Sequence, residues 1–186
     1  MEENKAFWLF PPRLVVLVST TDTKGNYNVA PHSEFINLYG NEHLLIASAK
    51  NHDTYSNIEE IGEFVIGIPP ISIAKAISIA GKPFPKGVSE FEKTGLTPIP
   101  STKIKAPLIK ECIVNFECKL EKKIEDVGYG SLFIGKILTT HYNQENITDE
   151  MNTRLNTKAT LHVYKGRVYT TTNKETIDTE IDFKKI

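Results

Sequence analysis

The sequence predicts a mainly β protein, an antiparallel barrel decorated with short helices. Three observations predict it. About seven runs of β-branched, aromatic and leucine residues recur along the chain, most of them joined by turn formers. One run, Cys112 to Leu120, alternates with a period of two, as a half-buried antiparallel strand does. No strand–long helix–strand repeat is present, which disfavours a doubly wound parallel sheet.

The elements follow in order. Leu14–Val18 is a continuous apolar run of the kind that forms a buried strand. Asp22–Asn26 is dense in turn formers, and Tyr27–Ser33 returns as the second arm of a hairpin. Leu44–Ser48 is a third buried strand. Asp53 is placed to cap a short helix over about Thr54–Ile61, in which Tyr55, Ile58 and Ile61 share a face and Gly62 ends the run. Phe64–Ile68 is a fourth strand, stopped by Pro69-Pro70, and a second short helix runs from Ile71 to Gly81.

Residues 81–110 differ in texture. Five of the ten prolines lie here, and Ser89 and Glu92 are spaced as a capping box closed by Gly95. The apolar residues Phe84, Val88, Phe91, Leu96 and Ile99 make this an ordered excursion from one domain spanning 1–186. In the strand that follows, Cys112, Val114, Phe116, Cys118 and Leu120 point one way. Asn115, Glu117, Lys119 and Glu121 point the other, a polar face free for water or a partner. Glu125–Gly130 turns the chain, and Leu132–Tyr142 runs back. Leu161–Tyr164 and Arg167–Thr170 form a hairpin about Lys165-Gly166.

Composition narrows the partners. The 186 residues carry 22 Lys+Arg and 23 Asp+Glu, a formal net charge of −1. Such a chain has no global field toward nucleic acid or an anionic membrane. Cys112 and Cys118 are too few for a disulfide scaffold and lie too far apart along one strand to pair. Met1–Lys5 leads into no long apolar run, so neither a secretory signal nor a membrane span is expected, and the cytoplasm is the expected location.

Catalytic motifs are missing. His32, His43, His52, His141 and His162 are scattered, with no pair at zinc-ligand helical spacing, so no metal site is expected. There is no G-x-S-x-G elbow, no P-loop and no dinucleotide fingerprint. Either the chain binds something, or a bound cofactor performs its chemistry.

Two polar segments stand out. In the first, Ser19-Thr20-Thr21 returns through the Gly25 turn to Asn28-Val29-Ala30-Pro31-His32-Ser33-Glu34-Phe35. Pro31 removes a backbone donor, so pairing is broken there and main-chain groups are left for a ligand. In the second, Ser48-Ala49-Lys50-Asn51-His52-Asp53-Thr54 ends a strand and opens a helix. A helix start favours anions, and Ser48, Lys50, His52 and Thr54 add donors suited to phosphate. Taken singly, such residues are ordinary turn and cap chemistry. The residues alone give a barrel with a candidate anion site and no named ligand.

With these segments in view, the chain resembles the flavin reductase-like, FMN-binding split-barrel family, in particular its NTAB flavoprotein branch. The matching stretches are Pro12–Thr21 with the Gly25 turn, Asn28-x-Ala30-Pro31-x-Ser33-x-Phe35 and Asp53-Thr54-x-x-Asn57-Ile58. Glu63-Phe64-Val65, Phe84-Pro85-x-Gly87-Val88-x-Glu90-Phe91 and Gly95-Leu96-Thr97-Pro98 continue the order. The resemblance implies a split antiparallel β-barrel forming a homodimer, with one FMN per subunit near the interface. It implies that Asn28, Ala30, Pro31, His32, Ser33 and Phe35 lie along the isoalloxazine and ribityl chain. Ser48, Lys50, His52, Asp53 and Thr54 would hold the phosphate, and Phe84 would lie near the ring. Where relatives have a lysine before the Asp-Thr pair this chain has His52, so phosphate affinity is expected to vary with pH near neutrality.

The expected function is that of an FMN-dependent oxidoreductase of flavin reductase type using NAD(P)H, with no side chain assigned as acid or base. The alternative is an FMN-carrying electron-transfer or flavin-storage protein fed by a redox protein, without nicotinamide activity of its own. A cofactor-free β-barrel module for oligonucleotides is disfavoured by the neutral charge and the absence of an aromatic and basic stripe.

Overall fold

A computed structural model describes residues 10–85, 88–142, 144, 147–149, 153–154, 156–164 and 168–171. Its strands are β1 (Arg13–Leu14), β2 (Val16–Thr21), β3 (Tyr27–His32), β4 (Phe35–Asn37), β5 (His43–Ala49) and β6 (Glu63–Ile68). They continue as β7 (Pro98–Ile99), β8 (Leu108–Ile109), β9 (Val114–Val127), β10 (Gly130–Tyr142), β11 (Leu161–Tyr164) and β12 (Val168–Thr170). The helices are α1 (Asp53–Ile61), α2 (Ala74–Ala80), entered through a 3-10 turn at Ile71–Ile73, and α3 (Glu90–Thr94).

Seven strands form one antiparallel sheet in the order β3-β2-β6-β9-β10-β5-β4. The chain passes from β3 at one edge to β4 at the other through only Ser33 and Glu34. Two residues span at most about 7 Å, so the sheet must curl until its edges almost meet. Two hydrogen bonds stitch that seam. The Ala47 N–H donates to the Glu34 carbonyl at 3.0 Å, and the Ala47 carbonyl faces His32 Nδ1 at 3.0 Å.

The curl has two apolar faces. Inside lie Val16, Val18, Leu44, Ile46, Phe64, Ile66, Cys118 and Phe133, closed at one end by Tyr55 and Ile58 of α1. Outside, Val15, Leu17 and Val29 pack under Ile77 of α2, Phe91 of α3 and Leu96. Because β2 is buried on both faces, its sequence reads as a continuous apolar run rather than an alternating one. A second sheet, β1-β11-β12, flanks the barrel, and β7 pairs with β8. Cys112 and Cys118 are both free thiols. Among the described residues, no helix is long and apolar enough to cross a membrane.

Several local expectations change. Helix α1 starts one residue early: His52 holds the N-cap position and Asp53 lies in the first turn, with no side-chain cap bond. Ser89 stands at the N-cap of α3, but the capping-box hydrogen bond is not formed. Gly62 and Gly95 end their helices in the left-handed conformation, as their placement predicts. The β9–β10 turn is tighter than the sequence suggests, confined to Gly128 and Tyr129. The turn at Lys165-Gly166 lies outside the described residues.

The largest difference is on β9. Asn115 and Glu117, expected on an open polar face, are 6% and 0% exposed. The 81–110 excursion covers them. Asn115 exchanges two 3.0 Å hydrogen bonds with the main chain of Ile109. Glu117 accepts from the N–H groups of Thr102 and Lys103, at 2.8 and 2.7 Å, and from the Thr102 hydroxyl. The alternation is real, but its polar half is the receptor for the chain's own loop.

Candidate functional site

The two polar segments converge at the seam end of the barrel. Asn28 of β3 accepts from the Thr54 hydroxyl of α1 at 3.2 Å and from the Thr20 hydroxyl at 3.4 Å. Asn57, one turn further along α1, donates to Thr20 at 2.9 Å. All four side chains are buried, so this network fastens α1 to the first hairpin. Asn28 and Thr54 thereby position the backbone of both segments.

At the end of β3 away from Asn28 a crevice of about 440 Å³ opens, within the size range of small-molecule clefts. Pro31, His32 and Ser33 form one wall, Gly81, Lys82 and Pro83 a second, and His162 and Tyr169 a third. Pro31 sits on the edge strand, where its missing N–H costs no ladder bond. His162 and Tyr169 face each other across β11 and β12, with ring centroids 5.9 Å apart.

Three buried side-chain polar atoms lack a partner among the described residues: His32 Nε2, Ser48 Oγ and Thr171 Oγ1. Buried polar groups are nearly always hydrogen-bonded, so such orphans call for a missing partner. Two of the three belong to the predicted set, one in each segment. Burial pushes the His32 imidazole down to about 4, a shift that the Ala47 carbonyl and Glu34 oppose and the nearby His52 reinforces. His52 thus lies near enough to His32 to act on its charge.

The remaining predicted residues are distributed as follows. Ala30 is half-buried in β3, opposite Val18. Phe35 packs against the inner core. Lys50 donates to Asp126 at 2.7 Å, its ammonium drawn to the end of β9. His52 is exposed at the mouth of α1. Asp53 lines a separate polar cleft of about 230 Å³ with Asn28. Phe84 is half-buried and follows directly on Pro83 of the crevice.

Sequence reasoning missed His162, Tyr169, Lys82 and Gly81. The hairpin carrying His162 and Tyr169 was legible, and their pairing on one face was the available signal. What that face meets depends on a sheet formed with β1, about 150 residues away in sequence, which no local pattern reports.

The donor set fits a flavin. Hydroxyl, imidazole and main-chain N–H groups at a helix start suit a phosphate, and Pro31, Pro83 and Tyr169 supply flat apolar surface for a ring.

A curled antiparallel sheet with helices α2 and α3 packed outside it and a crevice at its seam is the split barrel of the flavin reductases. A family model described as flavin reductase like domain matches residues 11–172, and the chain belongs to that family. An uncharacterized protein of Archaeoglobus fulgidus is 32% identical over 173 residues, covering 92% of this chain and 94% of its own. Among solved structures, nitrilotriacetate monooxygenase component B from Bacillus cereus is similar with a TM-score of 0.85 and 26% identity. That match covers 95% of this chain and 94% of the other. The 2-nitrobenzoate 2-nitroreductase of Pseudomonas fluorescens is similar with a TM-score of 0.79 and 27% identity, covering 98% and 95%.

Proposed function

We propose that this chain is a cytoplasmic, homodimeric FMN-binding oxidoreductase of flavin reductase type that draws electrons from NAD(P)H. The observation that carries the reading is the pair of orphaned buried side-chain atoms, His32 Nε2 and Ser48 Oγ, one in each of the two polar segments. The flavin lies along Pro31–Ser33, with its phosphate directed to the start of α1, where Ser48, His52 and the first N–H groups of the helix gather. When bound, FMN supplies the hydride and electron transfer. The protein positions the ring, shields one face with the His162 and Tyr169 wall, and leaves the mouth open to a donor.

Family membership supports the flavin. Two solved relatives above 25% identity are by name a monooxygenase component and a nitroreductase, and both names fit redox chemistry. Exposed Phe10, Ile36 and Tyr129 offer apolar surface for a second subunit, and sedimentation at micromolar concentration tests that part.

The visible spectrum of the purified protein, before and after anaerobic addition of NADH or NADPH, tests the function. Bound-flavin bands that bleach with nicotinamide support the reductase. Bands that bleach only with a reduced redox protein replace it with an FMN-carrying electron-transfer protein. A colourless protein that binds no added FMN overturns the flavin reading.

A further inference from the structure

A single formal charge faces the crevice, the ammonium of Lys82. We infer that Lys82 binds a phosphate of the electron donor, so that the crevice selects an anionic nicotinamide nucleotide over a neutral dihydropyridine. This inference rests on the flavin reading and deepens it by naming the class of the second guest and the residue that holds it.

Lys82 stands just past the end of α2, where its N–H donates to the Ile79 carbonyl at 3.0 Å. Pro83 follows it in the same wall and stiffens the backbone on that side. The main chain is thus fixed at the rim, and the exposed side chain is left to move. Among the described residues no carboxylate pairs with its ammonium. Arg13, Lys50 and Lys123, by contrast, are each held by carboxylates. A helix dipole accounts for a lysine at a helix end, but not for a wall that carries this lysine and no carboxylate.

The other titratable groups of the wall are uncharged at pH 7. Burial holds His32 down at about 4. Burial and then Arg13 lower His162, against a weaker opposing pull from Glu34. Burial raises the Tyr169 phenol, and its hydrogen bond with Ser78 opposes that rise. Glu34 acts on both histidines, yet it does not line the crevice and is held by Arg13 at 2.9 Å. Walls of low polarity, here Pro31 and Pro83, focus such a lone charge toward the opening. A neutral ring gains nothing from it and a cation is repelled, whereas a phosphate gains a charge-assisted hydrogen bond. On the flavin reading the cofactor's own phosphate lies at the start of α1, which leaves Lys82 to the phosphate of the donor.

The experiment compares reduction of the FMN-loaded protein by NADH, by NADPH and by N-benzyl-dihydronicotinamide, which carries the same ring and no phosphate. In each case the dihydropyridine loses a hydride and becomes a pyridinium, and both electrons pass to the flavin. Lys82→Met is expected to raise the half-saturating concentration of NADPH, or of both nucleotides, by about fivefold. Lys82→Glu should raise it further and Lys82→Arg should restore it, while the benzyl compound reduces every variant alike. Calorimetry with the oxidised nucleotides, which bind without turnover, should give the same order. A loss with both nucleotides places Lys82 at the pyrophosphate, and a loss with NADPH alone places it at the extra ribose phosphate; either supports the inference. No loss, an equal loss with the benzyl compound, or a loss of FMN affinity beyond about twofold in Lys82→Met overturns it. Reduction of the unsubstituted protein by the benzyl compound and by neither nucleotide also overturns it, leaving the flavin reading intact. Failure of FMN itself to bind sinks the flavin reading. Salt gives a test that needs no variant. Raising the ionic strength from about 0.02 to about 0.5 M must weaken NADPH and spare the benzyl compound, and an equal response of the two overturns the inference.

Discussion

Glu117 of β9 and His141 of β10 meet at 2.6 Å, the imidazole Nε2 donating to a carboxylate that is fully buried. Burial alone would raise the Glu117 pKa. The N–H groups of Thr102 and Lys103, His141 and the Thr102 hydroxyl outweigh it and hold the carboxyl below its ordinary value of 4.5. The same carboxylate thus pins the excursion loop to the barrel and ties β9 to β10.

Glu117→Ala removes the receptor and leaves those donors buried. It is expected to cost about 3 kcal/mol, read as a lower urea midpoint at pH 7. Because the folded value lies below the unfolded one, the stabilisation is full above about pH 4.5 and is lost as the pH falls through the folded value. The difference between wild type and Glu117→Ala should therefore shrink in acid.

His32 sets a second pH dependence at higher pH. Its folded value is about 4, against 6.5 when free. Between those limits the unfolded chain takes up a proton that the folded chain does not. Stability of the flavin-free protein is expected to fall by about 1.4 kcal/mol per pH unit as the pH drops from 6.5 toward 4. His32→Leu should flatten that slope, and an unchanged slope in urea titrations contradicts the assignment.

Ser48→Ala should separate folding from binding. The hydroxyl is buried without a partner, so its removal is expected to raise flavin-free stability by about 1 kcal/mol. On the proposed reading that hydroxyl donates to the phosphate, so the same change should weaken FMN by about tenfold. Calorimetry of the flavin-free and FMN-loaded forms checks both signs. A fall in flavin-free stability would mean that the hydroxyl has a structural partner.

Gly130 is needed for close approach. A Cβ there would lie 2.0 Å from the Ser48 carbonyl oxygen, which is backbone and cannot step aside. Gly130→Ala is expected to destabilise by about 3 kcal/mol and to displace Ser48, lowering FMN affinity beyond the effect of Ser48→Ala alone.

The strands and the family were legible because their signals are local. Apolar runs marked β2, β5 and β6, and Gly62 and Gly95 marked helix ends. The candidate site was legible only as two polar segments, because Pro31 and the strand-to-helix turn at Ser48–Thr54 are anomalies within short windows. Their partition was not legible. That Asn28 and Thr54 bond to each other, that Lys50 goes to Asp126 and that Asn115 and Glu117 receive a loop are choices made by tertiary packing. A polar side chain in sequence looks the same whether its partner is water, a ligand or a distant main chain. The wall made by His162 and Tyr169 is the extreme case, since the sheet that presents it joins residues 13–14 to 161–170.

The most direct test of the account is a crystal structure of the protein grown with FMN. The ring system is expected along Pro31–Ser33, facing His162 and Tyr169, with the phosphate within hydrogen-bonding distance of Ser48 Oγ. FMN bound elsewhere, for example in the groove lined by Phe116 and His141, or bound in the crevice with its phosphate against His32, would contradict it.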